Sequence, residues 1–264
     1  MSKTFFRPSG LSSTNRFIAT HLLNEVVKPT KFMKRGTYAE QIAFKGAIEA
    51  SKGTVIIPDT LPVNPLTGKR WAKWADWEEA HGISRDDESC ISNETWTQSI
   101  AASRAIRQAM TQFASYRWQV HGKMLLDVPV PSGYNSGIEG TCDILTSDAI
   151  YDIKVIGNPG EEASGDEDEC RVDEESIISR YIYQISSYAL MHNVQKAGFI
   201  VVFPVDKAGL YWDYHIITLN GSVLLDKETI EGRCRDIYSA YQRMHQSIME
   251  NMDVSNPISQ PNPF

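Results

Sequence analysis

Glu139-Gly-Thr-Cys-Asp143-Ile-Leu-Thr-Ser-Asp-Ala-Ile-Tyr-Asp152-Ile-Lys154-Val-Ile156 is the stretch whose reading decides the fold of this 264-residue chain. Thr141–Leu145 and Ala149–Ile156 are rich in β-branched and aromatic residues and read as two strands. Thr146, Ser147 and Asp148 supply the turn between them. Side chains alternate along a strand, so Tyr151, Ile153 and Val155 take one face and Asp152 and Lys154 the other. With Ser147-Asp148 as a two-residue turn, Asp143 faces Asp152 across the ladder. Facing residues have Cβ atoms roughly 5 Å apart, and two carboxylates so placed destabilise a hairpin. A divalent cation between them removes the repulsion. Mg²⁺ suits the role, being a hard ion held by one or two carboxylates together with water and phosphate oxygens. Lys154, on the same face as Asp152, would orient or deprotonate a water or stabilise charge on a phosphate.

Composition bounds what surrounds this hairpin. The chain is ordinary in apolar content and carries a net charge of −7, which argues against a surface that coats DNA indiscriminately. It leaves room for a nuclease that gathers carboxylates at its site and confines basic residues to one channel. No apolar run reaches the roughly 18 residues of a membrane span. The opening residues, Met1-Ser-Lys-Thr-Phe-Phe-Arg7, lack the apolar core of a signal peptide, so a cytoplasmic protein is expected. Cys90, Cys142, Cys170 and Cys234 form no C-x-x-C pair, which disfavours a zinc or clustered iron–sulfur site. They are expected as reduced structural thiols, with Cys142 turned away from Asp143 into the core.

The remaining elements follow from periodicity. A short helix is expected near Asn15–Val27, then the basic run Lys28–Arg35, which reads as a solvated face. A helix starting at Gly36-Thr37 and running to Glu49 buries Tyr38, Ile42 and Ile48. Glu40 lies in its first turn, where a carboxylate also complements the helix dipole. Residues 51–90 are irregular and punctuated by prolines; Trp71, Trp74 and Trp77 fall at helical spacing and read first as core. The interleaved Lys69, Arg70 and Lys73 would let the same stripe hold single-stranded nucleic acid. A long helix capped by Ser92 or Asn93 is expected to reach about Trp118, followed by a strand over Lys123–Val130. Residues 157–175 form an acidic loop without the ligand pattern of an EF-hand. Ser176–Asn193 is a helix, Gly198–Pro204 and Tyr211–Leu219 are strands, and a closing helix spans Leu224 to about Met252.

Asp143, Asp152-x-Lys154, and then Gln184-Ile-Ser-Ser-Tyr188 on the following helix together resemble the PD-(D/E)-x-K nuclease superfamily. The likeness is to its exonuclease branch, which includes the nuclease domains of RecB and of exonuclease VIII and related phage recombination exonucleases. It covers residues 32–50 and 120–220 and leaves 51–90 unexplained. It implies an α/β fold with a mixed central β-sheet flanked by helices, the restriction-endonuclease-like core. It implies Asp143, Asp152, Lys154 and Glu40 as catalytic, with Asp143, Asp152 and Glu40 as metal ligands. The acidic residue of a Gly-Thr-x-x-(His or Glu) helix completes the site in this branch, and Glu49 is the alternative to Glu40. Gln184, Tyr188 and Arg180 would hold DNA, and Glu139, two steps of two before Asp143, would be a further acidic ligand or proton acceptor. Two departures stand out: glutamate replaces the family's helix histidine, and the second carboxylate is Asp152 where many members have Glu.

The expected activity is therefore that of a Mg²⁺-dependent exonuclease, with Mn²⁺ an alternative ion, resecting the ends of double-stranded DNA for a single-strand annealing protein. One nuclease domain over residues 1–264 is expected, with the 51–90 segment as an insert, the acidic loop, and a flexible tail at 254–264. By analogy the protein would be a homo-oligomer, working in the host cytoplasm if phage-encoded, with no membrane partner. Two other functions compete: a non-catalytic DNA-end or partner-binding module that kept the fold, and a restriction-type endonuclease. Intact Asp143, Asp152 and Lys154 count against the first, and the lack of an evident specificity domain counts against the second.

Overall fold

The computed structural model describes residues 4–15, 17–18, 28–71, 74–84, 87–157, 172–206 and 208–254. Most of the helix expected near Asn15–Val27, most of the acidic loop, Cys170 and the tail lie outside them. The strands are β1 (Thr4–Phe6), β2 (Val55–Ile57), β3 (Cys90–Ser92), β4 (Arg117–Leu125), β5 (Asn135–Leu145), β6 (Ala149–Val155), β7 (Lys196–Pro204) and β8 (Trp212–Asn220). The helices are α1 (Lys31–Lys45), α2 (Ala47–Ala50), α3 (Trp74–Ala80), α4 (Asn93–Met110), α5 (Glu174–His192) and α6 (Lys227–Val254).

Six strands make one mixed sheet in the order β1-β5-β6-β7-β8, with β4 on the far edge of β5. β4–β5, β5–β6 and β7–β8 are antiparallel, and β6–β7 is parallel, joined through α5. β7, between β6 and β8, is buried at every position after Lys196, and its near-continuous apolar run is what a strand covered on both faces requires. α5 packs Ile177, Ile185, Tyr188 and Ala189 against Phe199, Val201 and Ile217 on one face. α1 and α4 cover the other face, where Ala39, Ala102, Ala105 and Ile106 meet Ile144, Tyr151, Ile153 and Ile200. This is the α/β architecture the sequence implied.

Among the boundaries that differ from expectation, two bear on the site. Thr30, not Gly36, caps the first helix: its hydroxyl accepts the Met33 N–H at 3.3 Å, and the helix runs from Lys31 until Gly46 breaks it at φ 90°. Gly36 and Thr37 are thus inside a helix whose cap lies within the basic run. The second helix ends at Met110 rather than near Trp118, and residues 117–125 pair with β5 instead. Long-range pairing overrides the helical tendency there, since this stretch completes the edge of β5. Ser92 does cap α4, accepting the Thr95 N–H at 3.1 Å.

β5 has an unusual second edge. β1 pairs with its first half, at Asn135 and Ile138, and β6 with its last residues, at Ile144 and Leu145. On this edge no described strand pairs with the stretch 139–143, while its opposite edge is paired with β4 through Cys142. The small sheet β2–β3 lies apart, and Trp77, with Trp71 and Trp74 beside it, closes a separate small core with Ile57 and Cys90. Cys90, Cys142 and Cys234 are buried free thiols.

Candidate active site

The hairpin turn is two residues long, as the sequence predicts: Thr146 N–H donates to the Ala149 carbonyl at 2.9 Å, and Leu145 faces Ile150. The ladder then continues for one more pair, Ile144–Tyr151, and opens. Hydrogen-bonded pairs alternate in such a ladder, so the Ile153 N–H would next reach the Cys142 carbonyl. It donates instead to Asp143 Oδ2 at 2.8 Å. The aspartate carboxylate has taken the place of a backbone acceptor. It lies in the slot between the parting strands, where it meets groups from both faces of the sheet.

From the α5 face come Asp152 and Lys154. Asp152 is 4% exposed. Its Oδ1 accepts from Gln184 Nε2 at 3.0 Å. Its Oδ2 is buried without a hydrogen bond, the Lys154 ammonium standing 2.6 Å away as an ion-pair contact. Lys154 Nζ donates to Gln184 Oε1 at 3.3 Å and sits 4.0 Å from the centre of the Tyr181 ring. Burial is the strongest single influence on the lysine and lowers its pKa, but the charge and hydrogen bond of Asp152, with Tyr181 and Asp143, together outweigh it and the net shift is upward. Lys154 is therefore an ammonium here, suited to stabilising negative charge rather than to taking a proton.

From the other face comes Glu40 on α1. Its Oε1 accepts from Trp118 Nε1 at 2.8 Å and from Gln119 Nε2 at 2.6 Å. The same Gln119 nitrogen lies 3.3 Å from Asp143 Oδ1, so one amide ties the helix carboxylate to the strand carboxylate. Trp118 is held for this contact by stacking on Phe44, with ring centroids 4.9 Å apart. Gln119 is one of two non-glycine residues with positive φ among those described, at 54°. That left-handed backbone interrupts β4 opposite Asp143, and such uncommon conformations gather at functional sites.

The electrostatics follow from the packing. Burial, then the charges of Asp152 and Glu40, hold the Asp143 carboxyl well above the usual carboxylate range. Glu40 is also raised, first by burial and also by Asp152, against the bonds from Trp118 and Gln119 that favour its charged form. Among the described residues no three His, Cys, Asp or Glu side chains stand close enough to form a closed metal cage. Mg²⁺ does not ask for one, since water and phosphate complete its shell. Two mutually repelling carboxylates, Asp143 and Asp152, with Glu40 tied to them through Gln119, are an oxygen donor set that fits a hard divalent ion.

The other sequence candidates separate. Glu49 is exposed on α2 and paired with Lys52 at 2.5 Å, so Glu40 is the helix carboxylate brought to the site. Glu139 accepts from the Thr4 hydroxyl at 2.8 Å and belongs to the junction with β1. Tyr188 is buried, its ring over Gly140, where an added Cβ would lie 3.1 Å from Tyr188 Cε1 and 2.9 Å from Pro8 Cδ. Tyr188 also borders an open pocket of ≈ 360 Å³ with Arg7, Glu139 and Thr141. Arg180 is exposed one helical turn before Gln184. Trp118 and Gln119 escaped the sequence reading because their segment reads as the end of a helix and the gap after it. Strand-like alternation in Trp118-Gln-Val-His is the signal that could have found them.

No family profile matches the chain by sequence, and no curated protein does. By structure it resembles a candidate exonuclease from Eubacterium rectale, with a TM-score of 0.50 at 14% identity over 87% of this chain and 74% of that one. Matches also include a phage-related exonuclease from Haemophilus somnus 129PT, with a TM-score of 0.39 at 13% identity over 96% and 97% of the two chains. A third is the alkaline exonuclease from Laribacter hongkongensis, with a TM-score of 0.29 at 14% identity over 83% and 97%. The likeness to the Eubacterium rectale structure is one of fold, a mixed sheet flanked by helices.

Proposed function

We propose that this protein is a divalent-metal-dependent deoxyribonuclease, an exonuclease that resects the ends of double-stranded DNA. The observation that carries the reading is the opened hairpin, which gathers Asp143, Asp152 and Lys154 with Gln184 and Glu40 in one slot. Asp143 and Asp152 would hold Mg²⁺, or Mn²⁺, with Glu40 behind Gln119 as the third carboxylate. The ion when bound would supply Lewis acidity at the scissile phosphate and an activated water. Lys154, kept charged by Asp152, would stabilise charge developing on phosphate oxygens. Gln184 holds the Asp152–Lys154 pair in register from α5, and with Tyr188 and Arg180 it would line the strand's path. Delivery of the product strand to a single-strand annealing protein and assembly into a homo-oligomer complete the reading.

End-labelled linear duplex and covalently closed circles, incubated with Mg²⁺ or with EDTA, test it. Linear DNA should be degraded only with metal, and closed circles should survive. Efficient nicking of relaxed circles would move the assignment to an endonuclease. Binding of ends without cleavage under any divalent metal would make it a binding module.

A further inference from the structure

The basic run Lys28–Arg35 is only partly a solvated face: Lys28 and Lys31 are exposed, whereas Lys34 and Arg35 are engaged by the fold. Lys34 Nζ donates to the carbonyls of Asp87 and Cys90 at 3.0 and 2.7 Å. Arg35 is only 5% exposed. Its guanidinium lies between two rings, 5.2 Å from the centre of Phe32 and 5.0 Å from that of Trp212. One edge is occupied: Nη1 donates to Gln98 Oε1 at 3.1 Å, and Gln98 in turn donates to Glu94 Oε1 at 3.2 Å. The other edge, Nε and Nη2, is buried and has no hydrogen-bond partner.

Those two nitrogens form the side-on fork with which arginine takes two oxygens of a phosphate or carboxylate. Buried donors on a charged group are costly to leave without acceptors. Burial accordingly lowers the Arg35 pKa, and Glu94, which reaches it only through Gln98, pulls the other way. Gly157 borders the fork, since a Cβ there would sit 2.7 Å from Nη2 and 2.8 Å from Phe32 Cδ1. The cover on this edge is movable: Phe32 is 48% exposed, and exposed side chains reorient on the picosecond-to-nanosecond scale. Lys31 Nζ, 5.1 Å from the same ring, adds positive charge beside it.

The location selects the anion. Gly157 lies three residues past Lys154, at a bend just beyond the end of β6, and so at most roughly 10 Å away at the rise of a strand. An anion on the fork would thus stand a few nucleotides from a phosphate being cleaved at the slot. We propose that Arg35 is a phosphate-binding residue for the DNA strand held at the Asp143–Asp152–Lys154 site, taking a backbone phosphate displaced from the scissile one on its Nε/Nη2 edge. This rests on the nuclease reading above.

A set of short duplexes, each with a single neutral methylphosphonate at a successive linkage, tests it through binding in Ca²⁺. The wild type should lose roughly tenfold or more in affinity at one linkage away from the scissile position, as expected for a charge-assisted pair. Arg35→Met should bind the unmodified duplex weaker by a similar factor and show no further loss at that linkage. Its log–log salt slope should fall by about 0.7–0.9, the contribution of one phosphate. Arg35→Lys keeps the charge without the fork and should flatten the dip while holding part of the affinity. If Arg35→Met does not fold, Arg35→Lys decides. A dip that persists unchanged in the folded variant, or a wild-type profile flat outside the scissile linkage, overturns the assignment and leaves Arg35 a stacked structural cation. Failure of the wild type to bind DNA at all overturns the nuclease reading, and the Arg35 proposal falls with it.

Discussion

Asp143→Asn should make the metal-free protein more stable while destroying cleavage. Asp143 and Asp152 would be the next pair beyond Ile144–Tyr151, and although the ladder opens there, the roughly 5 Å between facing Cβ atoms sets the scale of their separation. Two unit charges at that spacing repel by about 3 kcal/mol at an effective dielectric near 20. The attraction of Lys154 for Asp143 offsets part of this. The amide oxygen of asparagine keeps the bond from the Ile153 N–H, and the 3.3 Å contact with Gln119 is the one at risk, at a cost of about 0.5–1 kcal/mol. A net gain of about 1–2 kcal/mol remains, or roughly 2–8 °C for a chain of this size. The pH dependence fixes the sign. The native Asp143 carboxyl titrates above its unfolded value, so between those two values the native state binds more protons. Wild-type stability therefore falls as pH rises through that window, whereas the asparagine variant escapes this loss. The difference should widen with pH and level off above the native value. Thermal melts in EDTA across pH read it directly. Mg²⁺ should then reverse the order, since only the wild type gains from binding. A folded variant that melts below the wild type in EDTA at every pH would refute the crowded-carboxylate argument.

Lys154→Ala should cost about a hundredfold or more in single-turnover rate, as for other charge-stabilising donors, with DNA affinity in Ca²⁺ nearly unchanged. A wild-type rate at saturating DNA would reduce the lysine to a bystander. Gln184→Ala should weaken DNA positioning and also slow the chemical step, because its amide holds both Asp152 and Lys154; Tyr188→Phe should be milder on both measures. Gly140→Ala forces a Cβ between Pro8 and Tyr188, and chemical denaturation should register a loss of about 1–3 kcal/mol.

The hairpin was legible because its signals are local: alternation, a polar turn, and carboxylates whose spacing brings them face to face. Glu40 and Gln184 were legible as positions on helices, and the resemblance gave them roles. What escaped was long-range. The carboxylate of Asp143 is met by Gln119, which turns left-handed in the neighbouring strand, and a glutamine carries no sign of positive φ. Trp118 closes a stretch that reads as helix and Gln119 falls between that helix and the expected strand, because only pairing with β5 makes their segment a strand. Arg35 looked like surface because a run of cations usually is. Its burial follows from Trp212, nearly two hundred residues away.

The junction of β1 with β5 has a consequence for how the molecule comes together. Thr4 is bonded to Glu139, 135 residues later, and β1 contributes only two register pairs to the sheet. Closing so long a loop costs about 4 kcal/mol beyond a constant, and a three-residue strand recovers little of it until its partner exists. During synthesis the first strand made would wait for the β4–β5–β6 meander and dock on it late. Arg7, Pro8 and Ser9, which wall the pocket beside Tyr188, arrive with it. Amide exchange should find this segment opening before the hairpin does, so a fusion placed ahead of Thr4 would disturb the mouth of the site while leaving the carboxylate slot assembled.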